Sequence, residues 1–479
     1  MALTQEQYQL LKQPITKRYI KLYILNFNFQ RVNEISGYLI SCSVAGDANS
    51  DLRHNCKVSL SVTDSSFDIQ SGGQIWLDKY INPYIGSTNL LTQEIVWENQ
   101  GIYLINAPSW EYDATTNVLN LEGLDLISKL TGLRNGELEG LPTTILQDEN
   151  VRNAILAIMA EAGFSSDRCI VSECINSDGT IQSVPYDISV QQGSTVWNLL
   201  TSLRDILPQY QMYFDKDGYF HYDLIPSGAN MFSDFDDDLL KEILIKETIN
   251  TDFESVKNYI EVYGKTHDVQ FFGEIDSIST VSNISTINLT INSLAVIDEY
   301  VMIGWVTNSA ISSDGIKLNV NEWGDKKLVD YNGNYITSLP DDLYCVAQYQ
   351  SNNTWLFLGH LQAQAIYYDN NPDSPFYTDG TNNVIRHVCV GGDYENIQSD
   401  ELALERAKLE IYWRCRLNDS ISLSVIPVPW LEVNTLFTHA VKNGRNKEQW
   451  IIDSYSVDYT ETGEMSITAH KYYPLYPII

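Results

Sequence analysis

The sequence is short of basic residues, prolines, methionines and long apolar runs. Only 30 Lys and Arg stand against 62 Asp and Glu, a formal net charge of -32. A protein that grips a nucleic-acid backbone needs a basic footprint, so sequence-specific nucleic-acid binding is excluded as the main activity. No stretch of about eighteen apolar residues occurs, which excludes a membrane-spanning helix and a membrane anchor of that kind. No apolar core of secretory length precedes Lys17 and Arg18, so no leader is expected. The seven cysteines (Cys42, Cys56, Cys169, Cys174, Cys345, Cys389, Cys415) include no CxxC pair. They read as reduced thiols filling cores in a protein made in the cytoplasm, with a Cys42–Cys56 bridge as the alternative.

What is present favours strands. Across 479 residues, 44% are hydrophobic, with 30 Tyr and 10 Trp on an Asn-, Asp-, Ser- and Gly-rich background. That is enough apolar surface for several cores, and at about 150 residues per domain the length suggests three or four. Charge is uneven. Residues 1–60 carry Lys12, Lys17, Arg18, Lys21, Arg31, Arg53 and Lys57 against Glu6, Glu34, Asp47 and Asp51, a net +3 that leaves -35 for the rest. The acidic remainder is either an ordinary solvated surface or one that repels a passing polyanion.

From Ile20 to Leu121 the chain alternates as KLYILNFNF, SGYLISCSV, HNCKVSLSVTD, IVWENQGIYLINAPSWEYD and NVLNLEGLD, the density of a barrel or sandwich. The segment SGGQIWLDKYINPYIG (71–86) breaks that rhythm and reads as an excursion. Helices follow: a short one at 123–131, one over DENVRNAILAIMAEAGF closing at Gly163, and one from Ser194–Thr195 to Pro208. QMYFDKDGYFHYDL reads as a hairpin around Lys216–Asp217–Gly218, and Gly132, Gly136 and Gly140 as tight loop turns. NYIEVYG is a strand. Residues 266–375 turn Ser-, Asn-, Thr- and Ile-rich and read as an inserted β module. SDELALERAKLEIYWRCRL (399–417) is a capped helix, followed by four strands. No fixed-period repeat is visible.

No enzyme motif appears: GxSxG, HExxH, GxxxxGK[ST] and GxGxxG are all missing. The seven histidines are isolated in sequence, which argues against a metal-dependent peptidase. A Cys–His pair that meets only in space stays open. DKDG at 215–218 lacks the further ligands of a calcium loop, so a turn is expected there. Asp234, Asp236, Asp237 and Asp238 form an acidic run, read as a surface helix start with a hard-cation site as the alternative. The ending HKYYPLYPII places Tyr472, Tyr473 and Tyr476 among prolines, where they either pack on their own domain or anchor to a neighbour. No cofactor, metal or catalytic residue is assigned.

Taken in order, the opening strands with IWLDKYINPYIG and EIVWENQGIYLINAPSWEYDATTNVLNLEGLDLISKLTGLRNGELEG, then FDKDGYFHYD with KNYIEVYG, then ERAKLEIYWRCRL with VPWLEVNTLF and EQWIIDSYSVDYTETGEMSITAH, resemble the central hub proteins of phage tail baseplates. The resemblance spans most of the chain apart from the first dozen residues and 266–375. It implies a mainly β (α+β) fold divided as a first tube-like barrel (1–122), an α/β domain (123–235), a second barrel (236–265 with 376–479) and the inserted module (266–375). It further implies a non-enzymatic homotrimer whose six barrels match a sixfold tail tube. Its partners would be the tube or a distal tail protein, a threefold spike or central fibre, and a tape measure protein. Such a hub sits in the virion and surrounds DNA with an acidic channel. A wall-polysaccharide-binding or wall-degrading tail component, and a sixfold distal adaptor, are the alternatives.

Overall fold

The computed structural model describes residues 4–13, 17–35, 39–62, 67–113, 115, 117–138, 143–174, 181–184, 187–206, 210–225, 237–441, 446–460 and 463–472. The chain divides into two compact units, one of Met1–Arg204, Gln209–Asp252 and Asn418–Ile479, the other of Asp205–Pro208 with Phe253–Leu417.

The first unit opens with helix α1 (Gln5–Leu11), whose Thr4 and Gln7 form a reciprocal capping box. Eight strands follow: β1 (Arg18–Leu25), β2 (Arg31–Ile35), β3 (Leu39–Asp47), β4 (His54–Ser61), β5 (Tyr80–Thr88), β6 (Ile95–Asn99), β7 (Tyr103–Tyr112) and β8 (Asn117–Leu124). Strand β4 shows how the sequence sets them: His54, Cys56, Val58 and Leu60 are buried and the residues between them face out. The middle of the chain supplies β9 (Thr143–Ile145), α2 (Val151–Glu161), β10 (Cys169–Val171), β11 (Ile188–Val190), α3 (Val196–Ile206), β12 (Tyr210–Phe214) and β13 (Phe220–Leu224), then α4 (Asp237–Ile243) and β14 (Leu244–Asp252). Asn150 caps α2, and Gly163 ends it with a left-handed φ of 85°. The β12–β13 hairpin turns where expected: Asp215 accepts from the Asp217 and Tyr219 N–H groups, and Gly218 takes φ 77°.

The second unit holds β15 (Tyr259–Thr266), β16 (Phe271–Val281), β17 (Ile284–Thr290), β18 (Met302–Val306), β19 (Ile311–Ser312), β20 (Gly315–Val320), β21 (Lys326–Val329), β22 (Ser338–Leu339), β23 (Tyr344–Tyr349), β24 (Trp355–Gly359), β25 (Gln362–Tyr368), β26 (Arg386–Val390) and α5 (Asp400–Arg414). Strands β16-β17-β20-β21-β24-β23-β18 close a seven-stranded barrel around Trp305, Trp355, Ile287 and Leu318. The chain then returns to the first unit as β27 (Asn418–Val425), β28 (Leu436–His439), β29 (Glu448–Asp458) and β30 (Met465–Lys471).

The main sheet of the first unit has thirteen strands, along β14-β27-β30-β29-β3-β4-β8-β7-β5-β1-β2, with β28 on β29 and β6 on β5. The antiparallel order β3-β4-β8-β7 recurs as β14-β27-β30-β29. Both runs carry a register shift in their fourth strand, between Asn106 and Ser109 of β7 and between Ile452 and Ser454 of β29. The two runs join where Ser454–Asp458 of β29 pair antiparallel with Ser43–Asp47 of β3. One core serves both, from Leu22, Val44 and Leu121 to Ile421, Trp450 and Ile467.

The mainly β fold and the strand-rich ends stand as expected, and several details change. Residues 123–131 form only a 3-10 turn, Leu126–Lys129. Segment 71–86 is an excursion only in its first half: residues 71–79 turn, whereas β5 lies inside the sheet between β1 and β6 and is buried on both faces, which erases the alternation. The described part of residues 123–235 belongs to the first unit, apart from Asp205 and Ile206, which fall in the second. Strand β15 and helix α5, expected in the second barrel, lie in the second unit. There β15 pairs with β25 and β26, and Ile260, Val262, Ala403 and Ala407 share one core. All seven cysteines are free thiols; Cys42 and Cys56 are neighbours on β3 and β4 but unbridged.

Candidate functional site

The chemistry of the first unit concentrates where four stretches of chain meet. Arg53 and His54 open β4, Asp125 caps the turn after β8, Lys216 sits at the tip of the β12–β13 hairpin, and Glu432 precedes β28. The His54 ring lies 3.4 Å from Asp125 Oδ2 through Nδ1 and 3.2 Å from Glu432 Oε2 through Nε2. Lys216 Nζ meets Glu432 Oε1 at 2.8 Å and donates to the Pro429 carbonyl at 3.1 Å. Arg53 donates to Gln211 Oε1 at 2.5 Å and covers the Tyr213 ring, which stacks on His221. Gln100 donates to the Pro429 carbonyl at 2.9 Å and accepts from the Tyr459 hydroxyl at 2.7 Å. Burial of so many polar groups is tolerated only because each has partners from another stretch of chain. The cluster therefore fixes the hairpin and both strand runs in one arrangement.

Burial alone would lower the His221 pKa, but the carboxylates of Asp215 and Asp223 outweigh it and raise it to about 9. His54 is likewise raised: burial opposes the charge, and Asp125 and Glu432 overcome it. Burial would raise Glu432, yet Lys216 and His54 bring it down to about 2. The signs set a pH window. A raised histidine stabilises fully below its unfolded value, 6.5, and that contribution is lost as pH climbs through about 9. The depressed glutamate stabilises fully above 4.5, and its contribution is lost as pH falls toward about 2. Thermal unfolding across pH should therefore give the highest Tm between about 4.5 and 6.5, with an alkaline decline that His221→Asn flattens. A Tm that keeps rising from pH 6.5 to 9 would contradict this account of the cluster.

The face of the main sheet turned away from its core has a distinct chemistry. Residues directly opposite one another across strands share a face, so the register defines rows. One row runs Thr248, Ser422, Thr468, Ser454, and a second Lys246, Ser424, Ser466, Ser456, Ala45, Asn55. A third runs Asp458, Ser43, Lys57, Glu122, and a fourth Ser41, Ser59, Asn120, Ser109. Hydroxyl and amide side chains dominate, and Lys57 stands opposite Glu122. These rows hold two lysines, Lys246 and Lys57, too few to grip a phosphate backbone, and none of the large apolar anchors of a tight protein interface.

The sequence-proposed residues fall elsewhere. Asp237 is no surface acid: it is fully buried in the first turn of α4. Its carboxylate accepts from the Ala440 N–H at 2.8 Å and lies within 3.5 Å of Lys241, Lys447 and the His439 ring. Burial opposes its charge, but Lys241 and the Ala440 N–H hold its pKa below the ordinary value. Asp238 is exposed, and Asp234 and Asp236 lie outside the described residues. Tyr472 is buried against Leu436 and Ile451, and its N–H donates to the Gln449 carbonyl at 2.8 Å. It packs on its own unit, while Tyr473 and Tyr476 lie outside the described residues.

One grouping is completed only by the fold. In the second unit His387 and Cys389, two apart on β26, meet Glu410 of α5, with ligand atoms within 4.8 Å of one another. Glu410 already receives Arg406 at 3.1 Å, Arg414 at 2.7 Å and the Tyr394 hydroxyl at 2.8 Å. Two guanidinium charges oppose a cation there. Burial also raises the Cys389 pKa, so the thiol is neither a ready ligand nor a ready nucleophile. The group is an ion-paired core, not a reactive centre. Among the described residues no helix is long and apolar enough to cross a membrane.

With the geometry in place, the fold is similar to that of a solved phage tail protein. The 43 kDa tail protein of prophage MuSo2 from Shewanella oneidensis superposes with a TM-score of 0.50 at 10% identity, covering 94% of this chain and 98% of that one. A tail protein from Neisseria meningitidis MC58 gives 0.47 at 9% identity, covering 94% and 96%. Prophage tail protein gp18 from Listeria monocytogenes EGD-e gives 0.43 at 10%, covering 94% of each. A family model described as a domain of unknown function, DUF5048, matches residues 373–476. No curated protein matches.

Proposed function

We propose that this chain is the central hub of a phage tail tip or baseplate, a virion component acting by symmetric assembly without turnover. Three copies adapt a sixfold tail tube, or a distal tail protein, to a threefold spike or central fibre; a tape measure protein is a further partner. The observation that carries this reading is the recurrence of β3-β4-β8-β7 as β14-β27-β30-β29 within one sheet. A chain that holds one strand order twice presents six similar units when three copies close a ring. The net charge of -32 supports a path for DNA through that ring, since an electronegative surround does not retain a polyanion.

A sugar-binding role draws no support from Trp97, Trp355 and Trp450. Trp355 and Trp450 are fully buried, and Trp97 lies under the Lys21 ammonium. The test is copy number: averaged images of particles, with mass measurement of purified protein, should show three chains around the tail axis. Six copies would favour a distal adaptor instead, and clearing of wall fragments by the purified protein would overturn the non-enzymatic reading.

A further inference from the structure

The barrel of the second unit treats its tryptophans in two ways. Trp305 and Trp355 are fully buried in its core, whereas Trp323 is 40% exposed at the turn from β20 to β21. Leaving so large an apolar group in water costs the fold, yet the backbone holds it there. Asn321 and Glu322 just before it take left-handed φ values of 51° and 59°, and Gly324 just after it takes 95°. Non-glycine residues in that region are strained, and such strain persists only where the surroundings enforce it. Here the Asn321 side chain does so. It accepts from the Ile291 N–H at 2.7 Å and donates to the Ile291 and Leu294 carbonyls at 3.0 and 3.1 Å. The Gly324 N–H donates to Asn319 Oδ1 at 3.0 Å, which ties the turn to the strand face beside it.

That face is a polar strip. Cross-strand register places Ser279, Thr286, Lys317 and Lys327 in one row and Ser277, Asn288 and Asn319 in the next. The amides are already set in position: Asn319 donates to Asn288 Oδ1 at 2.9 Å, and Asn288 donates to Ser277 Oγ at 3.0 Å. At the far end of β20 a second ring, Tyr335, lies over Gly315, where a Cβ would come 2.8 Å from it. The extended chain from Gly315 to Asn321 spans about 20 Å, so the two rings bracket a strip several sugar units long. Lys317 and Lys327 stand directly opposite one another, with Lys327 Nζ 5.1 Å from the Tyr335 ring. Neither lysine has an ion-pair partner among the described residues. Like charges facing across strands are destabilising, and an acidic group placed between them would remove that repulsion.

We infer that this strip binds an acidic polysaccharide, a sugar chain bearing carboxylate or phosphate groups, with Trp323 and Tyr335 as stacking platforms at its two ends. An aromatic ring offers a flat apolar body with a negative face, which suits the C–H faces of a sugar ring. Between the platforms, the Asn, Ser and Thr side chains both donate and accept hydrogen bonds, as sugar hydroxyls do. The opposed lysines take the acid groups through charge-assisted hydrogen bonds. A protein partner would call for a cluster of apolar anchors in place of the amide rows, and a nucleic-acid strand for more cations than this pair. Binding here needs no turnover and no particular copy number, so it stands apart from the hub reading.

Calorimetric titration of the full chain reads the site directly. The probes are tetragalacturonate for carboxylates, a glycosylated glycerol-phosphate oligomer for phosphates, neutral galactotetraose, and a short oligothymidylate. At least one acidic glycan should bind, more weakly as salt rises, and the neutral tetraose and the oligonucleotide about fivefold more weakly or worse. Trp323→Ala should weaken acidic-glycan binding about tenfold, and Trp323→Phe, which keeps a ring, only about twofold. Tyr335→Leu, which still covers Gly315, should also weaken it. Lys317→Ser combined with Lys327→Ser should erase the preference for acidic over neutral chains without lowering Tm, because the opposed charges are gone. Equal affinity for galactotetraose or for oligothymidylate would overturn the assignment to acidic glycans. Binding that Trp323→Ala leaves intact would overturn the site. No binding of either acidic glycan at millimolar concentration would overturn the inference, whatever particle images show of copy number.

Discussion

Replacing Glu410 by alanine should cost the second unit about 3–5 kcal/mol, the range for removing one member of a buried charge cluster. The size follows from what is left behind. Glu410 is 1% exposed and receives Arg406, Arg414 and the Tyr394 hydroxyl, and Arg406 is itself only 13% exposed on its side chain. Without the carboxylate, two guanidinium groups face each other beside α5 with nothing to neutralise them. Glu405→Ala on the same helix is the control. Its partner Lys408 is 35% exposed, so the loss should stay under about 1 kcal/mol. Calorimetric unfolding of the two variants measures the contrast. Equal, small losses would mean that the arginines find other partners and that the cluster is not what fixes α5 against β15 and β26.

Gly46→Val should act on the first unit by opening the joint between its two strand runs. A Cβ at this position lies 2.7 Å from the Tyr455 ring and 3.2 Å from the His54 ring, and valine adds two methyl groups beyond it. Overpacking of this kind costs about 1–3 kcal/mol. The more specific readout is hydrogen exchange, because the amides of Ser454–Asp458 lie against β3. They should lose protection ahead of those in β4 and β8. Adding Tyr455→Ala should recover part of the loss, and the non-additivity in a double-mutant cycle measures the contact. Unchanged protection at 454–458 would show that the joint tolerates a larger residue than the geometry allows.

The sequence showed the elements that obey one local rule. Strand β4 alternates cleanly, α2 and α5 carry their caps, and the hairpin turn has the Asp and Gly that its backbone requires. Strand β5 hid itself because both its faces are buried, so Ile81, Asn82, Pro83 and Ile85 give no period of two. The repeated strand order was invisible for a different reason. What recurs is hydrogen-bonding order and a bulge, and neither dictates side-chain identity: Trp110 and Tyr455 occupy matching places, as do Asn120 and Thr468. The polar cluster was beyond local reading because His54 and Glu432 are 378 residues apart and meet only through the sheet. Asp237 misled in the opposite sense. An acidic run looks solvated, yet this member is drawn inward by the Ala440 N–H and the cations around it. His387, Cys389 and Glu410 offered half a signal, the two-residue spacing on a strand, without the helix that completes them.

The chain enters and leaves the seven-stranded barrel through neighbouring backbone, with Thr266 paired to Gln362 at that point. A segment held at one such gate adds closure cost only as the logarithm of its length. The barrel can therefore be lengthened or shortened at small closure cost while the pairing of β15 with β25 stays undisturbed.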